Sequence, residues 1–219
     1  MACDIVCLML RNILPRILDT KCNNIRQAEK SLAEAVAFEV LGGYQAGVWD
    51  FIMPPLLVVN LVRHKRKREA FILNFLFTKK IALETARDMV ERNVSRDAAM
   101  QMAEEATGKV LASDTKGVYA DKVRQRQLRE IELLAGHYYK LIITEGKTYE
   151  EMVEEAYSER REYLDFVRRL NQAEKEVNHA ALATVGRNEA SLNFINKMEK
   201  AVERIRQMDA DKYFPPVIS

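Results

Sequence analysis

Apolar residues recur at intervals of three and four along almost the whole chain, and this periodicity limits what the chain can fold into. No convincing stretch alternates apolar and polar residues with the period of two that a half-buried strand requires. The 219 residues include only eight glycines and five prolines, too few for an all-β chain with many tight turns. The sequence therefore predicts an all-α protein built from long antiparallel helices.

Proline and glycine predict where the helices of the N-terminal half begin and end. A first short helix is expected over residues 4–14, ended or kinked by Pro15. A second is expected over residues 24–41, followed by a glycine pair typical of a helix C-terminus. Because proline suits the first turn of a helix, Pro54-Pro55 predicts the start of a long helix, and nothing before about Arg92 interrupts it.

The C-terminal half predicts three further helices with short connections. Gly146 ends the first, Thr148 and Glu151 form a capping box for the second, and Asn188 caps the third after Gly186. Short connections make consecutive helices antiparallel, so an up-down-up bundle with coiled-coil-like packing is expected. The three helices are predicted over residues 119–145, 148–185 and 188–212, each with an apolar stripe that should face the core. The stripe residues are Val123, Gln127, Ile131, Leu134, Tyr138 and Leu141 in the first helix, Met152, Ala156, Tyr163, Val167, Leu170, Val177 and Ala181 in the second, and Leu192, Ile195, Met198, Val202, Ile205 and Met208 in the third. Arg160 and Glu174 lie near the stripe of the second helix.

The loop around Ser113 to Gly117 is the expected boundary between two parts of the chain. Residues 1–112 would form an N-terminal helical region, and residues 113–219 would form the antiparallel bundle. The alternative is one continuous domain.

Charge and cysteine content restrict the expected partners and location. The chain has 34 basic and 32 acidic residues. A net charge of +2 creates no overall electrostatic field that would attract nucleic acid. Cys3, Cys7 and Cys22 show no paired spacing, which favours a reducing compartment. The first residues lack the basic and small-residue features of a secretory signal. We therefore expect a cytoplasmic protein and disfavour a nucleic-acid partner.

The search for catalytic chemistry yields one weak motif. Glu176-x-x-His179 places a carboxylate and an imidazole on one helix face, but a ferritin-like di-iron bundle needs two such motifs and two further glutamates. Folding the chain back at Gly146 places His137 near Tyr157, far along the helix from His179. We therefore assign no catalytic residue, metal site, cofactor or small-molecule substrate. The alternative is a metal- or ligand-binding helical enzyme centred on His137 or on Glu176 and His179.

The segment at residues 48–80 has the most unusual composition, since two apolar blocks flank the run RHKRKR. Polar residues and the proline pair disfavour a transmembrane helix. Five cations in little more than one helical turn make every face of that turn positive, so the turn must lie in water, among lipid headgroups or against an acidic partner. The predicted membrane or partner contacts are Trp49, Phe51, Leu56, Leu57, Arg63, Lys65, Arg66, Lys67, Arg68, Phe71, Phe75 and Phe77.

These observations predict a non-enzymatic scaffold or adaptor. It would self-associate or bind a protein partner through its long helices. Residues 49–80 would attach it peripherally to an anionic membrane surface. The alternatives for this segment are a solvated turn that contacts a protein and, in a nucleic-acid-binding adaptor, a basic contact with phosphates.

Overall fold

The computed structural model describes residues 2–41, 65–113, 120–185 and 188–215. These residues form helices and include no strand, so the predicted all-α fold is confirmed for them. The helices are α1 (Ala2–Leu41), α2 (Lys65–Phe75), α3 (Phe77–Glu91), α4 (Arg96–Ser113), α5 (Asp121–Ile143), α6 (Tyr149–Ala156), α7 (Arg160–Val185) and α8 (Glu189–Tyr213).

Helix α1 corrects the prediction of two N-terminal helices. It continues for 40 residues through Pro15 and ends at Leu41, the predicted end of the second helix. Proline removes one backbone hydrogen bond, but Pro15 is exposed, so water can reach the backbone at this position. The prediction that Pro15 ends a helix was therefore wrong.

The long helix predicted after Pro54-Pro55 begins outside the described residues, and its described part is interrupted at Leu76. The Leu76 N–H still donates to the Ile72 carbonyl at 3.0 Å, so the chain turns without losing this bond. The helices on the two sides of Leu76 pack in different parts of the core. Phe71 of α2 packs with one buried cluster, whereas Ala82 and Ala86 of α3 belong to another.

The predicted helix over residues 148–185 is also divided, by Tyr157, Ser158 and Glu159 between α6 and α7. Tyr157 has extended backbone angles, φ −125° and ψ 111°, and its side chain is buried. The interruption therefore directs an aromatic ring into the core at a position that periodicity assigns to a continuous helix.

The N-terminal caps predicted at Thr148 and Asn188 are confirmed, and Ser95 caps α4 in the same way. The Thr148 hydroxyl accepts a hydrogen bond from the Glu151 N–H at 3.2 Å, and the Glu151 carboxylate accepts one from the Thr148 N–H. The Ser95 hydroxyl accepts from the Ala98 N–H, and the Asn188 side chain accepts from the Ser191 N–H at 2.7 Å. These contacts satisfy N–H groups that have no partner within the helix.

The largest core cluster combines residues from both halves of the chain. It contains Ile25 of α1, Leu83 of α3, Leu134 of α5 and Leu170 of α7. Helix α5 packs most extensively against α3 and then against α7, while α7 also packs against α8. The C-terminal helices thus share their core with N-terminal helices.

The apolar stripes predict the buried side of α5 better than that of α8. Every predicted stripe position of α5 is buried, at Val123, Gln127, Ile131, Leu134, Tyr138 and Leu141. In α8 the prediction was wrong at both ends, since Leu192 is 39% and Met208 is 59% exposed. The predicted positions Ile195 and Val202 are buried, and Phe194 and Arg206 are buried beside them, so the prediction holds for the middle of α8 and fails only at its ends. Within the described ranges, no helix combines the length and hydropathy needed to cross a membrane.

Two glycine substitutions test the packing around α5. A Cβ on buried Gly146 would lie 2.6 Å from the Met152 backbone nitrogen, so Gly146→Ala should lower the free energy of unfolding by about 1–3 kcal/mol. A Cβ on Gly136, within α5, meets nothing within 4 Å, so Gly136→Ala should raise it by about 0.5–1 kcal/mol through helix propensity. Urea unfolding of both variants would measure these changes, and a loss for both would contradict the packing described for α5.

Candidate functional site

The predicted contact residues fall into two groups. Trp49, Phe51, Leu56, Leu57 and Arg63 lie outside the described residues. Lys65, Arg66 and Lys67 belong to the first turn of α2, which continues directly into Arg68. The Arg68 side chain is exposed and forms no salt bridge with any described residue.

Two of the phenylalanines that follow the basic run, Phe71 and Phe75, pack against the core. Phe71 is only 5% exposed, and its ring meets that of Phe194 edge-on with centroids 6.4 Å apart. Phe75, one turn later, stacks on Phe71 at 5.9 Å, and Phe77 is half-buried. Residues four apart share a helix face, so the structure places Phe71 in the core and not on an exposed contact surface. This contact fixes α2 to α8.

A buried ionic network lies beside this contact. Lys79 is 4% exposed, and its Nζ is 2.9 Å from Glu174 Oε1 and 3.7 Å from Glu130 Oε1. Arg206 donates to both oxygens of Glu174, at 2.6 and 2.8 Å. We call Lys79, Glu130, Glu174 and Arg206 the ionic network. It joins one side chain from each of α3, α5, α7 and α8.

Further contacts surround the network. The Thr78 hydroxyl donates to Glu130 Oε1 at 2.5 Å, and Asn171 accepts a hydrogen bond from Arg206. The Lys79 ammonium lies 4.3 Å from the centre of the Phe75 ring, within the range of a cation–π contact. The charged groups therefore have partners that offset part of the loss of hydration on burial.

Burial and charge act in opposite directions on these groups. Burial raises the pKa of Glu174, but Arg206 and Lys79 outweigh this effect and lower that pKa to about 2. For Glu130 burial dominates over the opposing attraction of Lys79 and raises the pKa to about 7. Burial would lower the pKa of Lys79, yet Glu174 and Glu130 raise it overall. Glu174 is thus the carboxylate that stays ionised, and Glu130 is the one whose pKa is shifted toward neutral pH.

An apolar pocket of about 130 Å³ adjoins the network. Phe71, Phe75 and Phe194 line one part of it, and Glu130 and Glu174 line another. Its volume is close to that of an apolar cavity of about 150 Å³ that binds benzene. Charged side chains, among them Lys175 and Glu199, line the rest of the pocket, so its apolar part lies on the side of the phenylalanines.

The residues of the alternative metal-site prediction, His137, Glu176 and His179, do not form a common site. His137 Nδ1 is 2.7 Å from the Tyr157 hydroxyl, which confirms the predicted fold-back, and burial lowers the pKa of His137 to about 3. Glu176 forms a salt bridge with Arg126, while His179 is exposed. No group of three or more metal-ligating side chains occurs among the described residues.

Sequence reasoning missed the ionic network as a unit, although one signal was present. Glu174 falls close to the predicted apolar stripe of α7, and a charged residue there indicates a buried partner. Its partners Lys79 and Arg206 are distant in sequence, so periodicity alone could not connect them.

Comparison with family models, curated proteins and solved structures finds no match to this chain.

Removing the central carboxylate should destabilise the protein. Glu174→Gln leaves Lys79 and Arg206 buried without their shared counterion, and we expect the free energy of unfolding to fall by about 3–5 kcal/mol. Glu162→Gln on the same helix breaks a half-exposed salt bridge with Lys140 and should cost at most about 1 kcal/mol. Urea unfolding at pH 7 would compare them, and equal losses would show that the network contributes no more than a surface pair.

The raised pKa of Glu130 predicts a specific pH dependence. The folded protein holds this proton more tightly than the unfolded chain, so the stabilisation from Glu130 is fully present below pH 4.5 and is lost as pH rises toward about 7. Glu130→Gln should therefore reduce the fall in unfolding free energy between these pH values. Unfolding curves across this interval would measure the difference, and parallel pH profiles for the two proteins would contradict it.

Proposed function

We propose that the protein is a non-enzymatic helical adaptor that attaches peripherally to an anionic membrane surface through residues 49–80. Its folded helices would carry the contacts with a protein partner or a second copy of the chain. Such a protein would act in the cytoplasm, at the inner face of the membrane. The observation that carries the proposal is the position of α2, which joins the basic run to the core.

The charge of α2 supports attachment to an anionic surface. Its first four positions are Lys65, Arg66, Lys67 and Arg68, and its first turn contains no acidic residue. Glu69 follows as a single opposing charge. Each basic residue close to an anionic bilayer contributes about 1 kcal/mol of attraction. A cluster of this size supports reversible binding without a covalent lipid.

The packing of α2 supports a fixed presentation of these charges. Phe71 contacts Phe194 of α8, and Ala70 and Phe71 are buried one turn after the basic positions. A surface bound at the basic run would therefore be held at a defined distance from the core. A protein partner with an acidic surface would be recognised by the same charges, and the experiment below separates the two cases.

Vesicle flotation tests the proposal. Wild-type protein should float with phosphatidylserine-containing vesicles at about 0.1 M salt, where the Debye length is about 10 Å, and much less at about 1 M, where it is about 3 Å. A variant with Arg63, Lys65, Arg66, Lys67 and Arg68 changed to Gln should lose most of this binding. Phosphatidylcholine vesicles should bind neither protein.

A matched control separates a local effect from a change in net charge. Lys109, Lys122, Arg161, Arg169 and Lys200 are exposed, and changing all five to Gln removes the same number of positive charges. This control should float like the wild type. Equal flotation of both variants, or no flotation of the wild type, would refute membrane attachment, and the latter result would favour a protein partner for the basic run.

A further inference from the structure

A second cavity, of about 290 Å³, lies among α1, α5, α6, α7 and α8. It is separate from the basic run of α2. Tyrosine rings and two acidic side chains are prominent in its lining, and Arg206 of the ionic network forms part of its wall. We call this space the tyrosine cavity and define it by Glu29, Tyr149, Tyr163, Arg206, Asp209 and Tyr213.

Glu29 is the first unusual group in this lining. It is 9% exposed, and its Oε1 accepts a hydrogen bond from the Tyr138 hydroxyl at 2.8 Å. Its Oε2 is buried and has no hydrogen-bond partner in the described structure. Because buried polar atoms are almost always bonded, this carboxylate lacks a donor that something else must supply.

Acidic side chains outnumber basic ones in the cavity lining, which contains Glu29, Asp209 and Arg206. Arg206 is bound through both terminal nitrogens to Glu174, which lies outside the lining, and it also attracts Glu29. Lys212, near Asp209 in sequence, pairs with Glu150 at 2.6 Å. Glu29 and Asp209 form no salt bridge with any described residue. Burial raises the pKa of Asp209 and outweighs the attraction of Lys212 and Arg206, which acts to lower it.

The aromatic side chains form a continuous wall. The ring of Tyr213 meets those of Tyr149 and Tyr163 edge-on, each with centroids 6.2 Å apart, and Tyr163 lies 6.3 Å from Phe166. Tyr163 is only 5% exposed, yet its hydroxyl makes no hydrogen bond to another described residue. The wall thus combines π faces, which attract cations, with a hydroxyl that is able to bind a ligand.

We propose that the tyrosine cavity binds a small protonated amine. Its ammonium N–H groups would bind the carboxylates of Glu29 and Asp209, and its carbon skeleton would lie against the tyrosine wall. A metal ion fits less well, since no group of three or more metal-ligating side chains occurs in the described structure. An anion would be repelled by the two carboxylates, and a quaternary ammonium would lack the N–H that Glu29 requires.

Calorimetric titration of the full-length protein tests this site with butylamine, 1,4-diaminobutane and phenethylamine at pH 7. At least one should bind saturably, and 2-phenylethanol, a neutral analogue of phenethylamine, should not. Glu29→Gln should weaken amine binding about ten- to a hundredfold, because it removes a charge-assisted hydrogen bond. Gln keeps an acceptor for Tyr138, and circular dichroism would verify the fold of the variant.

Two controls make the result specific. Glu34→Gln on α1 alters an exposed carboxylate paired with Lys30 and should leave amine binding unchanged. Asp209→Asn provides a second test at the other acidic residue and should also weaken binding. No saturable binding by any of the three amines, equal binding of the alcohol, or full binding by Glu29→Gln would overturn the proposal. Vesicle flotation of Glu29→Gln should match the wild type, so the two proposals can fail independently.

Discussion

The Glu174 carboxylate holds together charges that could not otherwise be buried. It binds the Lys79 ammonium on one side and the Arg206 guanidinium on the other, within a region that excludes most solvent. An isolated buried cation is unstable in a low-dielectric interior, so both cations depend on this shared partner. The four helices that carry the network must therefore approach in one arrangement, because a shift of any of them separates a buried charge from its counterion. Apolar contacts tolerate such shifts more easily than ion pairs do.

The same region links the two surfaces to which we assign functions. Phe75 of α2 contacts the Lys79 ammonium and also stacks on Phe71, so the helix that carries the basic run is attached directly to the network. On the other side, Arg206 contributes to the tyrosine cavity. The network lies between the helix that we propose binds an anionic surface and the cavity that we propose binds a cation. Opposite charge preferences can coexist at these two places because the buried ion pairs neutralise most of the charge between them.

The sequence was sufficient for helix content and for features determined by adjacent residues. Thr148 with Glu151 and Asn188 with Ser191 form their caps because both partners lie within one turn, and the stripe of α5 is buried as its spacing predicts. It was insufficient where tertiary packing decided the outcome. Pro15 does not end α1, while Leu76 and Tyr157, which carry no strong helix-breaking signal, lie where helices end. The network and the cavity require side chains from helices far apart in sequence, so neither could be predicted from local periodicity. The role of the basic run and the domain boundary stay predictions.

The interruption at Tyr157 has a consequence for how the chain can change in length. One inserted residue within a continuous helix rotates everything beyond it by about 100° and would turn the inward face of α7 toward solvent. Ser158 and Glu159 are exposed and lie outside both helices, so an insertion between them need not alter the rotational phase of either neighbour. The capping box fixes the rotation of α6 about its axis, and Glu174 fixes that of α7. The short break makes these two rotations independent of each other. Natural variation in chain length is therefore expected to concentrate at this joint and to be rare inside the two helices that it connects.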